Sequence, residues 1–168
     1  MRKIKILSFI SKVSVIGRIR RELHEIFWKE KAVMKYETTL GFDKETYERL
    51  QQMEIHPRTG YMPLVYICSP FAGDEVENMA RARVYCRFAM LKGYIPVAPH
   101  IYFPGFCYEA TEREQVMKMN MVCLGKCHEV WVFGENITAG MKAEIERASQ
   151  NEKVAIRYFT TELKEKEL

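Results

Sequence analysis

From residue 63 onward, short apolar runs alternate with stretches whose apolar residues recur at helical spacing, the pattern of β-α-β units feeding a parallel sheet. The first run, residues 64–69 (LVYICS), is bounded by Pro63 and Pro70 and rich in strand formers, as a buried strand should be. After a loop over 70–73, residues 76–92 predict a helix with Met79, Ala82, Cys86, Ala89 and Met90 on one face and Gly93 as its stop. Residues 94–98 read as a second strand ended by Pro99, 111–126 as a helix, and 129–133 as a third strand with Trp131 in the core. A helix over 138–149 and a fourth strand over 153–159 follow, and the Glu/Lys-rich tail from Glu162 reads as solvated. Four strands and their helices in roughly one hundred residues predict a small doubly wound α/β fold, flavodoxin- or Rossmann-like, with helices on both faces of a parallel sheet.

The pattern divides the chain. Residues 1–35 place Ile6, Ile10, Val13, Ile16, Leu23 and Phe27 mainly three, four and seven apart, predicting an amphipathic helix with a basic opposite face. Lys5, Lys12 and Arg18 interrupt its apolar run well short of the roughly 18 residues a membrane span needs. It also lacks a clear small-residue cleavage site, so a secretory peptide is disfavoured. Residues 36–62 form a polar connector with one short helix near 43–53, where Asp43 can cap; residues 63–160 form the main domain and 161–168 a polar tail. For the helix over 2–33, packing on the body or on a second subunit is the preferred role, and docking on a membrane surface or a protein partner the second.

In such sheets the loops after each strand gather at one edge, where ligands bind. That rule selects 69–74, 99–106 and 134–144. In the last segment, Thr138 as N-cap, with the amides near Ala139 and Gly140, makes a small anion site, and Gly140 admits a ligand close to the backbone. Glu144, four residues on, lies on the same face one turn deeper. The helix N-terminus should favour its ionised form, which suits a nucleophile. Glu146 competes for that role from about 200° around the helix. Ser69 and the turn ending at Gly73 offer a hydroxyl and backbone amides to a phosphate or sugar. The turn is neither a P-loop nor a dinucleotide fingerprint.

The motifs Val65–Phe71 (VYICSPF), Gly93–Pro99 (GYIPVAP) and Thr138-x-Gly-x-x-x-Glu144, in this order and spacing, resemble the nucleoside 2-deoxyribosyltransferase superfamily over residues 63–159. The likeness is nearest to a bacterial and phage branch related to nucleoside-monophosphate N-glycosidases. The resemblance implies cleavage or exchange of an N-glycosidic bond. Glu144 would attack C1′ as nucleophile, and water or a second base would resolve the glycosyl-enzyme, chemistry shared with retaining glycosidases. Thr138 stands where the transferases hold the sugar with an acid and where the monophosphate N-glycosidases bind the 5′-phosphate with a hydroxyl, so the resemblance tilts towards a nucleotide. Asn120 stands nearest to the second family acid, which orients the leaving base and helps protonate it; an amide cannot exchange that proton. Around Glu144 and Asn120, the substrate would meet Ser69, Phe71, Gly73, His100, Thr138 and Gly140. The resemblance also implies a homo-oligomer. The second reading keeps fold and pocket but drops the chemistry, leaving a module that senses or sequesters a nucleotide.

Other residues are read more plainly. His100 is a candidate donor or proton shuttle, although a lone His after Pro is more often structural. Tyr102 and Phe103 either stack on a base or form satellite core. Arg81, Arg83, Glu112 and Arg113 read as solvated helix charges, any Arg among them being able to meet a phosphate. Composition adds exclusions. The 168 residues, 48% hydrophobic and 29% charged, fit one ordinary globular domain with an extension. The net charge of +4 divides into +7 on residues 1–35 and −3 on the rest, which argues against a nucleic-acid-binding domain. Five cysteines, with no zinc-ligand spacing, read as reduced thiols in a cytoplasmic protein. No metal or organic cofactor is expected.

Overall fold

The computed structural model describes residues 44–53 and 60–167. The readings of an amphipathic helix over residues 1–35 and of Asp43 as a cap lie outside the described residues. Four parallel strands, β1 (Leu64–Cys68), β2 (Ile95–Val97), β3 (Glu129–Phe133) and β4 (Ala155–Phe159), pair in the order β2-β1-β3-β4. Leu64 lies opposite Ile95, Tyr66 opposite Val130, and Val132 opposite Tyr158. The helices are α1 (Lys44–Gln52), α2 (Glu75–Leu91), α3 (Pro99–Tyr102), α4 (Glu109–Leu124) and α5 (Ala139–Ser149). The expected doubly wound α/β architecture is what the chain adopts.

Strand alternation explains the layers. Side chains two apart share a face, so Val65, Ile67, Trp131 and Phe133 line one side of the sheet while Tyr66, Cys68, Val130 and Val132 line the other. The first side receives α2, with Tyr85 stacked on Phe133 at 4.1 Å and Phe88 against Trp131 at 5.6 Å. The second packs on α4 and α5 through Leu124, Met141 and Ala148. Trp131, 1% exposed, is core as expected.

Four expectations need correction. The buried side of α2 includes Ala82, Tyr85, Phe88 and Ala89, whereas Met79 and Cys86 are partly buried and Met90 is 41% exposed. Apolar residues occur on almost every side of this helix, so periodicity selects no face and the aromatic side of the sheet decides. The loop expected over 99–106 is α3 followed by a 3-10 turn, Phe103–Gly105, because Pro99 sits at the first helical position, where its ring is preorganised. The strands expected over 94–98 and 153–159 shorten to Ile95–Val97 and Ala155–Phe159. Finally, the tail is not simply solvated: Glu165 bridges antiparallel to Phe159, and the Lys166 amide donates to the Tyr158 carbonyl at 2.8 Å.

Candidate functional site

The chain leaves β1 towards β2 on one side and leaves β3 towards β4 on the other. This divergence opens a crevice beyond the C-terminal ends of β1 and β3. A cavity of about 180 Å³ occupies it, walled by the loop after β1, by α3 with its 3-10 turn, by α4, and by the start of α5. Of the eight candidate residues, Ser69, Phe71, His100, Asn120, Thr138, Gly140 and Glu144 all line this cavity, and Gly73 does not. Gly73 has a φ of +100°, a left-handed conformation that glycine adopts without strain, so its role is in the turn. Glu146 is exposed on α5 and also lies outside the lining.

Glu144 is the carboxylate of the cavity. It is 8% exposed, and the Tyr66 hydroxyl, from the neighbouring face of β1, donates to its Oε1 at 2.7 Å. Burial raises the Glu144 pKa above the ordinary carboxylate value, although hydrogen bonds from Tyr66 and Cys68 pull it down. Here the expected preference for the ionised form is corrected: Glu144 is the sixth residue of α5, past the free amides of the first turn, and desolvation prevails over the helix terminus. Burial, reinforced by the neighbouring Glu144 charge, pushes the Tyr66 hydroxyl well above its usual range. Tyr66 therefore remains a donor at any working pH.

The rim is polar. Thr138 caps α5 by accepting the Met141 amide at 3.3 Å, and Ala139 and Gly140 line the cavity beside it. Their amides are among the four a helix start leaves without intrahelical partners. Opposite, Ser69 Oγ and His100 Nε2 are 3.0 Å apart. Burial lowers the His100 pKa to about 4, so the imidazole is neutral at pH 7. Phe103 is buried and lines the cavity, whereas Tyr102 is exposed, with its ring against Phe103 at 4.6 Å.

One stripe of α4 completes the wall. Arg113, Val116, Met117 and Asn120 line the cavity, their spacing of three, four and seven placing them on one helical face. Arg113 is exposed, as a solvated helix charge should be, and also stands in the lining; Arg81 pairs with Glu77 on α2 at 2.8 Å. Asn120 is 8% exposed and its Oδ1 is buried with no hydrogen-bond partner. An orphaned buried acceptor costs about 1–3 kcal/mol, which any donor reaching this oxygen would relieve. Sequence reasoning missed Tyr66. A tyrosine within an otherwise aliphatic buried strand must find a partner for its hydroxyl, which was the available signal.

Among the described residues, no three His, Cys, Asp or Glu side chains gather as metal ligands would, and no helix is long and apolar enough to cross a membrane. All five cysteines are free thiols. The fold and site define an α/β domain with a buried carboxylate in a largely apolar pocket with a polar rim, at the switch point of its sheet. The sequence model of a family described as a domain of unknown function (DUF7768) matches residues 63–159, more than half of the chain, and the protein belongs to that family. The matched segment runs from the residue before β1 to the last residue of β4, so the family spans the sheet and every wall of the cavity. No curated protein matches the chain.

Proposed function

We propose that the cavity binds the glycosyl portion of a nucleoside or nucleoside 5′-monophosphate and that Glu144 cleaves or exchanges its N-glycosidic bond. The observation that carries this reading is the buried Glu144–Tyr66 pair at 2.7 Å, set beneath a helix N-terminus and a serine hydroxyl. A carboxylate oxygen of Glu144 bonds to C1′ while the C1′–N bond breaks and its electron pair leaves with the base. Water or a second base then attacks C1′, the bond to Glu144 breaks, and the carboxylate is restored. Tyr66 orients the attacking group, and hydrogen bonds to a charged group are worth about 1.5–3 kcal/mol. The Thr138 hydroxyl, the Ala139 and Gly140 amides and Arg113 suit a 5′-phosphate. The five free thiols support a reducing, cytoplasmic setting.

A release assay tests this reading. Wild type is incubated with ribo- and deoxyribonucleosides and their 5′-monophosphates, with and without an acceptor base, beside Glu144→Ala. The expected result is free base from at least one substrate, reduced at least about 10³-fold in the variant. The second reading, a nucleotide-sensing or sequestering module, draws on Asn120, which has no proton to give a leaving base. It takes the place of the first if no base is released while a panel member raises the melting temperature.

A further inference from the structure

Breaking an N-glycosidic bond leaves an electron pair on the base. An ordinary neutral base needs a proton at that moment, and a positioned general acid is worth about 10²–10⁴-fold. Among the described residues, the polar side chains of the cavity are Ser69, His100, Arg113, Asn120, Thr138 and Glu144, and none of the other five is an acid for the step Glu144 would open. A guanidinium keeps its proton, and an amide or a hydroxyl does not yield one at neutral pH. The imidazole of His100 is paired with Ser69 and neutral. The same walls offer what a flat cation with an N–H group would use. Asn120 presents its unpartnered, buried Oδ1, the rings of Phe71 and Phe103 and the thioether of Met117 lie in the lining, and Glu144 is the one carboxylate there among the described residues. Aromatic faces attract cations, the more so when desolvated.

We propose that the substrate is an N-glycoside whose leaving base is already cationic, a pyridinium or an N-alkylated purine, which departs as a neutral molecule without an acid. This rests on the glycosidic reading above and narrows it. As a Glu144 oxygen bonds to C1′, the C1′–N electron pair returns to the ring nitrogen and cancels its positive charge, so no proton moves. Water then attacks C1′, the ester bond to Glu144 breaks, and the surplus proton of the water passes to solvent. Asn120 accepts a hydrogen bond from an amide or amine of the base and holds its plane.

The test uses the full chain at neutral pH with two matched pairs: nicotinamide mononucleotide against its neutral dihydro form, and N7-methylguanosine 5′-monophosphate against guanosine 5′-monophosphate. The expected kcat/KM favours a cationic member over its neutral partner by on the order of 10²-fold or more, and which pair responds identifies the base. Because a cationic base also leaves more readily on its own, the ratio is measured again in Asn120→Asp. Supplying an acid should raise turnover of the neutral partner and shrink the ratio about tenfold or more. Glu144-dependent release at similar rates from both members of each pair overturns the proposal and leaves the glycosidic reading standing. An unchanged ratio in a folded Asn120→Asp protein overturns it too; should that variant not fold, a wild-type ratio no larger than the ratio of the spontaneous rates in buffer overturns it. No release from any of the four compounds or from the nucleoside panel overturns both readings.

Discussion

Glu144 meets opposite demands within one side chain. As the proposed nucleophile it would have to be ionised, yet its burial favours the protonated form, and Tyr66 with Cys68 only partly restores the balance. Because its folded-state pKa is raised, the stability it contributes is fully present below the ordinary value of 4.5 and is lost as the pH rises through the raised value. At neutral pH it therefore costs stability, a common compromise at functional sites. Glu144→Gln keeps an acceptor for Tyr66 and removes the charge, so its melting temperature at pH 7 should rise by a few degrees while base release disappears; a lower melting temperature would contradict the assigned sign. Tyr66→Phe removes a bond that holds the carboxylate pKa down, so the acid limb of the pH–rate profile should move to higher pH and kcat should fall about tenfold or more. His100 has the opposite linkage. Its lowered pKa makes its contribution present above 6.5 and lost as the pH falls towards 4, so His100→Gln should flatten the acid side of the stability curve in that window.

The start of α5 separates packing from ligand binding. Thr138 accepts the Met141 amide, so Thr138→Ala should cost about 1 kcal/mol through the lost cap, or roughly 2–4 °C in melting temperature for a chain this size. Gly140 differs: an added Cβ would meet only Thr138 Oγ1, at 4.0 Å. Gly140→Ala should therefore fold at least as well as wild type, since alanine favours the helix by up to about 1 kcal/mol. If a phosphate sits on these amides, that methyl group should raise KM about tenfold for a 5′-monophosphate and much less for the nucleoside. An equal effect on both would move the anion elsewhere. Elements built on local signals were legible in the sequence: the proline-bounded apolar run became β1, the short apolar run before Gly134 became β3, and Gly93 with a φ of +81° ends α2. The sheet-edge rule also selects most of the residues that line the pocket. What stayed hidden depends on distant partners. Tyr66 and Glu144 are 78 positions apart, and the buried side of α2 was chosen by rings on β3 and β4 that no local period records.

At the scale of the whole sheet, the two edges are protected by different means, and one of them can be tested. An exposed edge strand is a template for pairing with another chain. The β2 edge is three residues long and carries Pro96, which cannot donate to a further strand. The β4 edge is five residues long and has no proline, and it is the tail that covers it. Glu165 bridges to Phe159, Arg157 donates to both Glu165 oxygens at 2.7 and 2.6 Å, and the same guanidinium lies over the Trp131 ring at 5.2 Å. Glu129 stands 3.5 Å from Arg157 and accepts the Trp131 indole N–H at 2.7 Å, joining the tail to the core of β3. Deleting residues 161–168 would strip these partners and leave the outer amides and carbonyls of β4 open. The truncated chain should then associate further than the full chain as concentration rises, read as a larger mass by light scattering, with base release per protomer retained because Glu144, Tyr66 and the cavity walls lie elsewhere. Glu165→Gln, which keeps the backbone bridge and weakens the ion pair, should leave the mass unchanged. Association of that variant to the same extent would assign the protection to the charge pair and not to strand pairing.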